Sequence, residues 1–326
     1  MEKTFARNTE PASRRGLRNS VALAAAVIAS LLLALSFSSC REKSAEAAKP
    51  GKINVVATIF PLYDWARTLA SGGEKVKVEM LLKNGVDPHS FQPTTGDIVR
   101  VSTADILIYV GGEDDKWVGD ALKNAANGKM IVINLMDALK GFVKEEQTSE
   151  GAQDSAPDEH LWLSLNNAIA ASNEIARALM EKDEANTQIY MANLVAFVQS
   201  VAALKTEYSG SFADRTIIVC DRFPFRYLAD EFGIRYYAAF TGCSAETEAS
   251  FETIAFLSDK VRELAPASVF VTESADKKIA RTVLSNADTA SLPVITLNSM
   301  QSVTQKQADK GAAYLDIMRA NLEALR

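Results

Sequence analysis

Between Asn166 and Tyr208 the chain runs for over 40 residues without a glycine or a proline. Those two residues are the strongest punctuators of local structure, so their absence over such a length predicts helix. At about 1.5 Å per residue, the helix would cross a whole domain. Lys182-Asp183 interrupts the stretch and divides it into one ordinary helix and one long connecting helix. On both sides of it, short β-branched runs alternate with amphipathic stretches of helical period. Strands are expected at 53–57, 76–82, 106–110 and 131–134 before it, and at 216–219, 235–239, 268–271 and 294–297 after it. Such alternation builds mainly parallel sheets with helices on their faces. The expected fold class is therefore α/β, with two α/β lobes joined by a long connecting helix. Open α/β sheets bind ligands at the carboxyl ends of their strands, which makes the cleft between the lobes the default site. No sequence repeat relates the two lobes.

Local signals agree with this division. Pro61 sits at a helix start, with Leu62, Trp65 and Leu69 following at spacings of 3 and 4. Thr94-Thr95-Gly96-Asp97 resembles a capping box. The last helix carries Leu315, Met318, Leu322 and Leu325 on one stripe. Residues 144–159 break the rhythm with a Glu/Gln/Ser/Asp-rich stretch of low hydrophobicity, the composition of a mobile surface loop.

The N-terminus is an address. Lys3, Arg7, Arg14, Arg15 and Arg18 precede an uncharged run from Val21 to Leu35, and Ser36-Phe37-Ser38-Ser39-Cys40 closes it. A basic start, an apolar centre and small residues before a cysteine make a secretory signal of lipoprotein type, with Cys40 as the lipidated first residue of the mature chain. Phe37 stands where that pattern usually has leucine. The alternative is an uncleaved membrane anchor, for which the stretch from Ser20 to Cys40 is long enough. In either case the globular part lies outside the cytoplasmic membrane. The division expected is a signal peptide over 1–39, a flexible polar tether over 40–51, an N-terminal lobe over 52–165, a connecting helical segment over 166–209 and a C-terminal lobe over 210–326. Without residues 1–39 the chain keeps 30 basic and 39 acidic side chains. That balance excludes a nucleic-acid binder held by phosphate contacts.

Chemistry-bearing residues are few. Of the 326 residues only 2 are histidine and 3 are cysteine. His89 lies in Asp87-Pro88-His89-Ser90-Phe91-Gln92-Pro93-Thr94, between an expected strand and a capped helix. His160 lies in Asp158-Glu159-His160-Leu161-Trp162, just before another helix. Imidazole is the commonest protein ligand of zinc and similar borderline metals, and each histidine has acidic neighbours. Cys220 and Cys243 remain in the mature chain, and in an oxidising compartment they could pair. No H-E-x-x-H motif and no G-x-S-x-G elbow is present, which disfavours a metal-dependent or serine hydrolase.

Four segments together resemble one family: Val55 to Asp64, the DPHSFQPT segment, Asp105 to Val110 followed by Gly111-Gly112-Glu113, and the EHLWLS segment. That family is the zinc/manganese solute-binding lipoproteins of bacterial ABC importers, and the resemblance covers Lys52 to Arg326. It implies two α/β lobes joined by a long helix and a divalent metal, Zn2+ or Mn2+, held in the cleft. It also implies delivery by a monomer, lipid-anchored through Cys40, to an ABC-transporter permease in the membrane, with no enzymatic step. His89 and His160 fall on the family's first-lobe ligands. The second-lobe ligands match less directly. Arg222 falls on one ligand position and cannot bind a cation, while a one-residue offset puts Asp221 there. Asn298 matches the last ligand and offers a neutral carbonyl oxygen. Cys243, in Gly242-Cys243-Ser244-Ala245-Glu246, departs from the family's motifs as a thiolate candidate, with Glu246 and Glu273 as carboxylate ones. The 144–159 loop takes the position of a histidine-rich loop in some members but carries no histidine. The competing expectations are a surface adhesion protein on the same fold and an extracytoplasmic metal-dependent hydrolase.

Overall fold

The structure, a computed structural model, describes residues 52–149, 156–244, 246 and 248–326. The expected signal peptide and tether, with Cys40, lie outside the described residues.

The first lobe is β1 (Ile53–Ala57), α1 (Phe60–Leu69), β2 (Val76–Met80), α2 (Thr95–Thr103), β3 (Ile106–Tyr109), α3 (Lys116–Lys123), β4 (Ile131–Asn134) and a single turn α4 (Leu135–Ala138). Its strands pair in parallel in the order β2-β1-β3-β4. The expected strands are all present, and β2 and β3 end two and one residues early. Sequence explains where α2 begins: Asp97 N–H donates to Thr94 Oγ1 while Thr94 N–H donates to Asp97 Oδ2, which satisfies two otherwise orphaned donors. In α1, Pro61 occupies the first turn, where its missing N–H costs nothing. Leu62, Trp65 and Leu69 form the fully buried face of that helix.

The expected helical stretch is α5 (Leu165–Lys182) and α6 (Thr187–Tyr208), broken at Asp183. Asp183 is buried, and its Oδ2 accepts from Tyr190 Oη and Asn186 Nδ2, both at 2.6 Å, which fixes the break. The α6 helix is about 33 Å long at the ordinary rise. It is apolar enough to cross a membrane by length and composition. Tyr190, Leu194, Phe197, Val201, Leu204 and Tyr208 nevertheless recur every three or four residues as its buried face.

The second lobe follows as β5 (Thr216–Phe223), α7 (Arg226–Phe232), β6 (Arg235–Thr241), α8 (Phe251–Leu264), β7 (Val269–Thr272), α9 (Lys278–Asn286), β8 (Val294–Leu297), α10 (Gln305–Asp309) and α11 (Tyr314–Leu325). Its parallel order β6-β5-β7-β8 repeats that of the first sheet, a relation invisible as sequence similarity. β5 runs four residues beyond its expected end because pairing with β6 resumes at Arg222 and Phe223 after an irregularity between Val219 and Arg222.

One large core joins the first sheet, α5, α6, α11 and part of the second sheet, and a smaller one around Ile218, Leu257, Val261 and Val283 fills the second sheet's other side. The last helix ties the lobes together. Tyr314 N–H donates to Asp64 Oδ2 at 2.7 Å, and Tyr314 Oη donates to the Trp162 carbonyl at 2.8 Å. Arg67 links the same Asp64 to the carbonyls of Ala308 and Ala312.

The acidic 144–159 segment departs from its expected character. Its described part is docked on the second lobe: Ala238 N–H donates to the Thr148 carbonyl at 2.7 Å, and Ser149 bridges Tyr237 in antiparallel fashion. Backbone pairing to a sheet edge needs no hydrophobic side chains, so composition did not reveal it.

Candidate metal centre

His89 sits in a single helical turn, Pro88–Ser90, that follows β2, and Asp87 caps it by accepting the His89 N–H at 3.1 Å. His160 immediately precedes another such turn, Leu161–Leu163, and is completely buried. The two rings, 71 residues apart in the chain, have centroids 5.5 Å apart. A carboxylate stands on the Nδ1 side of each ring. Asp114 Oδ2 lies 2.5 Å from His89 Nδ1, and Asp158 Oδ1 lies 2.8 Å from His160 Nδ1. Asp158 also accepts the His160 backbone N–H at 2.9 Å. The hydrogen bond that Asp158 accepts from Nδ1 fixes the His160 ring so that its opposite nitrogen, Nε2, faces the cleft.

Both Nε2 atoms converge on the side chain of Gln301, whose amide nitrogen is 2.8 Å from His89 Nε2 and 3.0 Å from His160 Nε2. The amide is held in turn by the Ser299 hydroxyl, 3.0 Å from its Oε1. Cys243 completes the cluster from the turn after β6. His89, His160 and Cys243 each offer one ligand atom, and these atoms all lie within 4.8 Å of one another. Among the described residues this is the group of three or more histidine, cysteine or acidic side chains so arranged. A cavity of about 20 Å³ adjoins it, lined by Thr58, His89, Asp114, Glu159, Trp162 and Gln301. That is room for a water-sized atom rather than an organic molecule.

Two glycines let the chain come this close. At Gly242 a Cβ would lie 2.6 Å from His160 Cε1 and 3.1 Å from the Phe223 carbonyl, so the turn crosses directly over the imidazole. At Gly112 (φ +81°) a Cβ would lie 2.1 Å from Glu159 Oε1. The acids around the rings are electrostatically strained. Burial, and then the charge of Asp114, push the Glu159 carboxyl up to about 8. Burial pushes Asp115 up to about 6 against the downward pull of the Gly111 and Val110 N–H groups. The Cys243 thiol is pushed far above its ordinary range, first by burial and then by the charge of Glu146.

The other expected second-lobe ligands do not join the cluster. The irregularity in β5 turns Asp221 toward β7, where its Oδ2 accepts from the Thr272 N–H at 3.0 Å and from the Thr272 hydroxyl. Arg222 points across the cleft to Asp87, with its Nη2 2.6 Å from Oδ2. Asn298 Oδ1 accepts the Met300 N–H at 2.8 Å and so shapes the turn in which Met300 adopts φ +65°. The turn brings Gln301, three positions on, to the imidazoles. Glu273 is occupied by Ser299 and Ser302. The Glu246 backbone N–H bonds to Ser244 Oγ, and its side chain lines the larger outer cleft with Asp221, Arg222 and Lys277. Cys220 and Cys243 are both free thiols. Gln301 was missed in the sequence because the pattern pointed to the polar residue directly after β8. The available signal was a second amide four residues past that strand.

Two lobes with one strand order, a helical connection and polar groups converging between them define the two-lobed class of solute-binding protein. Within that class the chain belongs to the ZnuA family, described as zinc-uptake complex component A, periplasmic, whose family model matches residues 55–326. The zinc-binding protein AdcA of Streptococcus pyogenes serotype M6 is 27% identical over 294 residues, covering 85% of this chain and 56% of AdcA. The chain thus spans about half the length of that relative. The high-affinity zinc uptake system protein ZnuA of Bacillus subtilis is 26% identical over 308 residues, covering 92% of this chain and 95% of that protein. Among solved structures, the metal-dependent lipoprotein YcdH from Bacillus subtilis superimposes with a TM-score of 0.69 at 27% identity, covering 84% of this chain and 98% of that one.

Proposed function

We propose that this protein is an extracytoplasmic solute-binding protein that captures one divalent metal ion between its lobes and passes it to the permease of an ABC importer. The observation that carries the reading is the convergence of His89, His160 and Cys243, drawn from three separate segments, on a single point. Zn2+ is the ion these donors suit best. Two imidazoles and a thiolate are borderline-to-soft ligands, and Gln301, the adjacent fourth group, adds no charge. Mn2+ prefers carboxylate and water oxygens, so it binds more weakly here. Asp158 serves as the outer carboxylate that orients the His160 ring, with Asp114 beside His89. Asp221 Oδ2 is engaged by Thr272 and Asn298 Oδ1 by Met300, and neither residue joins the cluster, so they are left out of the proposed set. With the Gln301 oxygen turned inward as the fourth ligand, the sphere would have no open position for a reacting water, which fits carriage rather than turnover. Anchoring through lipid on Cys40 and action as a monomer complete the proposal.

Titration calorimetry with Zn2+ and with Mn2+ on the purified chain tests it. One Zn2+ per chain is expected, bound more tightly than Mn2+, with His89→Ala and Cys243→Ser each weakening Zn2+ by at least about 10-fold. Wild-type affinity in His89→Ala would refute the site.

A further inference from the structure

The segment that precedes His160 is a strap from the first lobe laid on the edge of the second. Its outgoing arm pairs with its returning arm, with Glu146 N–H donating to the Ala156 carbonyl at 2.9 Å and Asp158 N–H to the Lys144 carbonyl at 2.7 Å. Tyr227 of α7 holds both arms at their base. Its hydroxyl accepts from the Lys144 N–H at 3.0 Å and donates to the Asp158 carbonyl at 2.7 Å. Farther along, the outgoing arm lies against β6, the edge strand of its sheet, through Thr148, Ser149 and a Gln147–Tyr236 contact of 3.3 Å.

Within this strap, Glu146 is only 3% exposed. Its Oε1 accepts the Cys243 backbone N–H at 2.6 Å. Among the described residues no lysine or arginine pairs with this carboxylate. A buried carboxylate with no basic partner is uncommon, and its oxygens must be met by N–H or O–H donors. What it does is local: it fixes the backbone of the residue that carries the thiol. The other face of the same turn is fixed by Gly242 against the His160 ring.

We infer that Glu146 is a positioning residue of the metal site, holding the Cys243 backbone so that its thiolate and the two imidazoles share one ion. The inference rests on the proposed reading of Cys243 as a ligand. The outgoing arm of the strap positions Cys243 through Glu146, and the returning arm positions His160 through Asp158. One segment thus sets two of the three donors, although they lie in different lobes. The charge-assisted bond to the N–H restrains the turn without competing for the sulfur.

The test uses Co2+ as a spectroscopic probe and Zn2+ for affinity, on the full chain. Wild type is expected to show a thiolate-to-Co2+ charge-transfer absorption that Cys243→Ser abolishes. Glu146→Ala, and Glu146→Met as an apolar replacement that keeps the volume, are expected to lose or displace that absorption and to weaken Zn2+ by roughly 10–100-fold. Glu146→Gln keeps a carbonyl oxygen for the Cys243 N–H and is expected to retain the absorption. A folded Glu146→Met or Glu146→Ala with the wild-type spectrum and Zn2+ affinity overturns the inference while leaving Cys243 as a ligand. Absence of the thiolate absorption in wild type overturns the ligand reading itself.

Discussion

The amide nitrogen of Gln301 lies 2.8 Å from Nε2 of His89, a residue 212 positions earlier. The amide is thus a hydrogen-bond donor at the point toward which the imidazole lone pair is aimed. A cation drawn to the same lone pairs must displace that N–H donor, after which the amide can turn its oxygen inward. Replacing it by a carboxylate changes both charge and hardness. Gln301→Asp is expected to bind Zn2+ and Mn2+ more tightly than wild type, with the larger gain for Mn2+, because carboxylate oxygen suits the harder ion. Competition titrations between the two metals measure the ratio, and a ratio unchanged from wild type would show that Gln301 does not face the ion.

Gly242 is the place where a single methyl group should be costly. Its Cβ would sit 2.6 Å from His160 Cε1 and 2.8 Å from Nδ1, and the Phe223 carbonyl blocks retreat at 3.1 Å. His160 cannot swing away without losing Asp158. Gly242→Ala is therefore expected to destabilise the protein by about 1–3 kcal/mol. It should also weaken Zn2+ by at least about 10-fold, since displacement of the ring or of the Cys243 turn spoils the donor geometry. Denaturant melts and calorimetry read the two effects separately. Wild-type affinity in this variant would mean that the turn has slack the structure does not show.

How much of this was legible in the sequence depends on what kind of force places each group. The strands and helices were legible because they follow period and punctuation: β1, β4 and β8 fall at their expected bounds, and the break at Asp183 stands beside Lys182 as expected. His89 and His160 stood out because imidazoles are scarce and each follows a carboxylate by two residues. The second lobe was less legible because its side-chain directions are set by backbone irregularities. A register shift near Asp221 redirects the residue that spacing had singled out, and the turn with a left-handed Met300 brings Gln301 to the imidazoles instead of Asn298. Sequence spacing counts residues and carries no sign of such a turn. The strap was illegible for a related reason: it is held by backbone bonds and one buried carboxylate, and its composition is that of a solvated loop.

Metal should stabilise the folded chain by mass action. With free Zn2+ at about 1,000 times its dissociation constant, the expected gain is about 4 kcal/mol. For a chain of this size that is a rise on the order of 10 °C in melting temperature. A chelator should reverse it, and His89→Ala, at least about 10-fold weaker, should show no more than about two thirds of it. Thermal melts with Zn2+, with Mn2+ and with chelator measure this. A melting temperature indifferent to all three would contradict a closed site between the lobes.

Asp115 gives a pH dependence of stability that is separate from the proposed ligands. Its Oδ2 accepts from the N–H groups of Val110 at 2.9 Å and Gly111 at 3.1 Å, yet burial and the neighbouring Asp114 charge leave it at about 6 instead of 3.8. A carboxyl whose folded pKa is raised binds its proton more tightly when folded. Its contribution to stability is fully present below pH 3.8 and is lost as pH rises through 6. The shift corresponds to about 3 kcal/mol, which partial exposure reduces to ~1–2 kcal/mol. Asp115→Asn keeps an oxygen for the two N–H groups and carries no charge at any pH. The variant is expected to melt about 2–5 °C above wild type at pH 7 and level with it at pH 4. Metal-free thermal melts across that range measure the difference. A gap between variant and wild type that stays constant from pH 4 to pH 7 would show that the Asp115 charge is not the source.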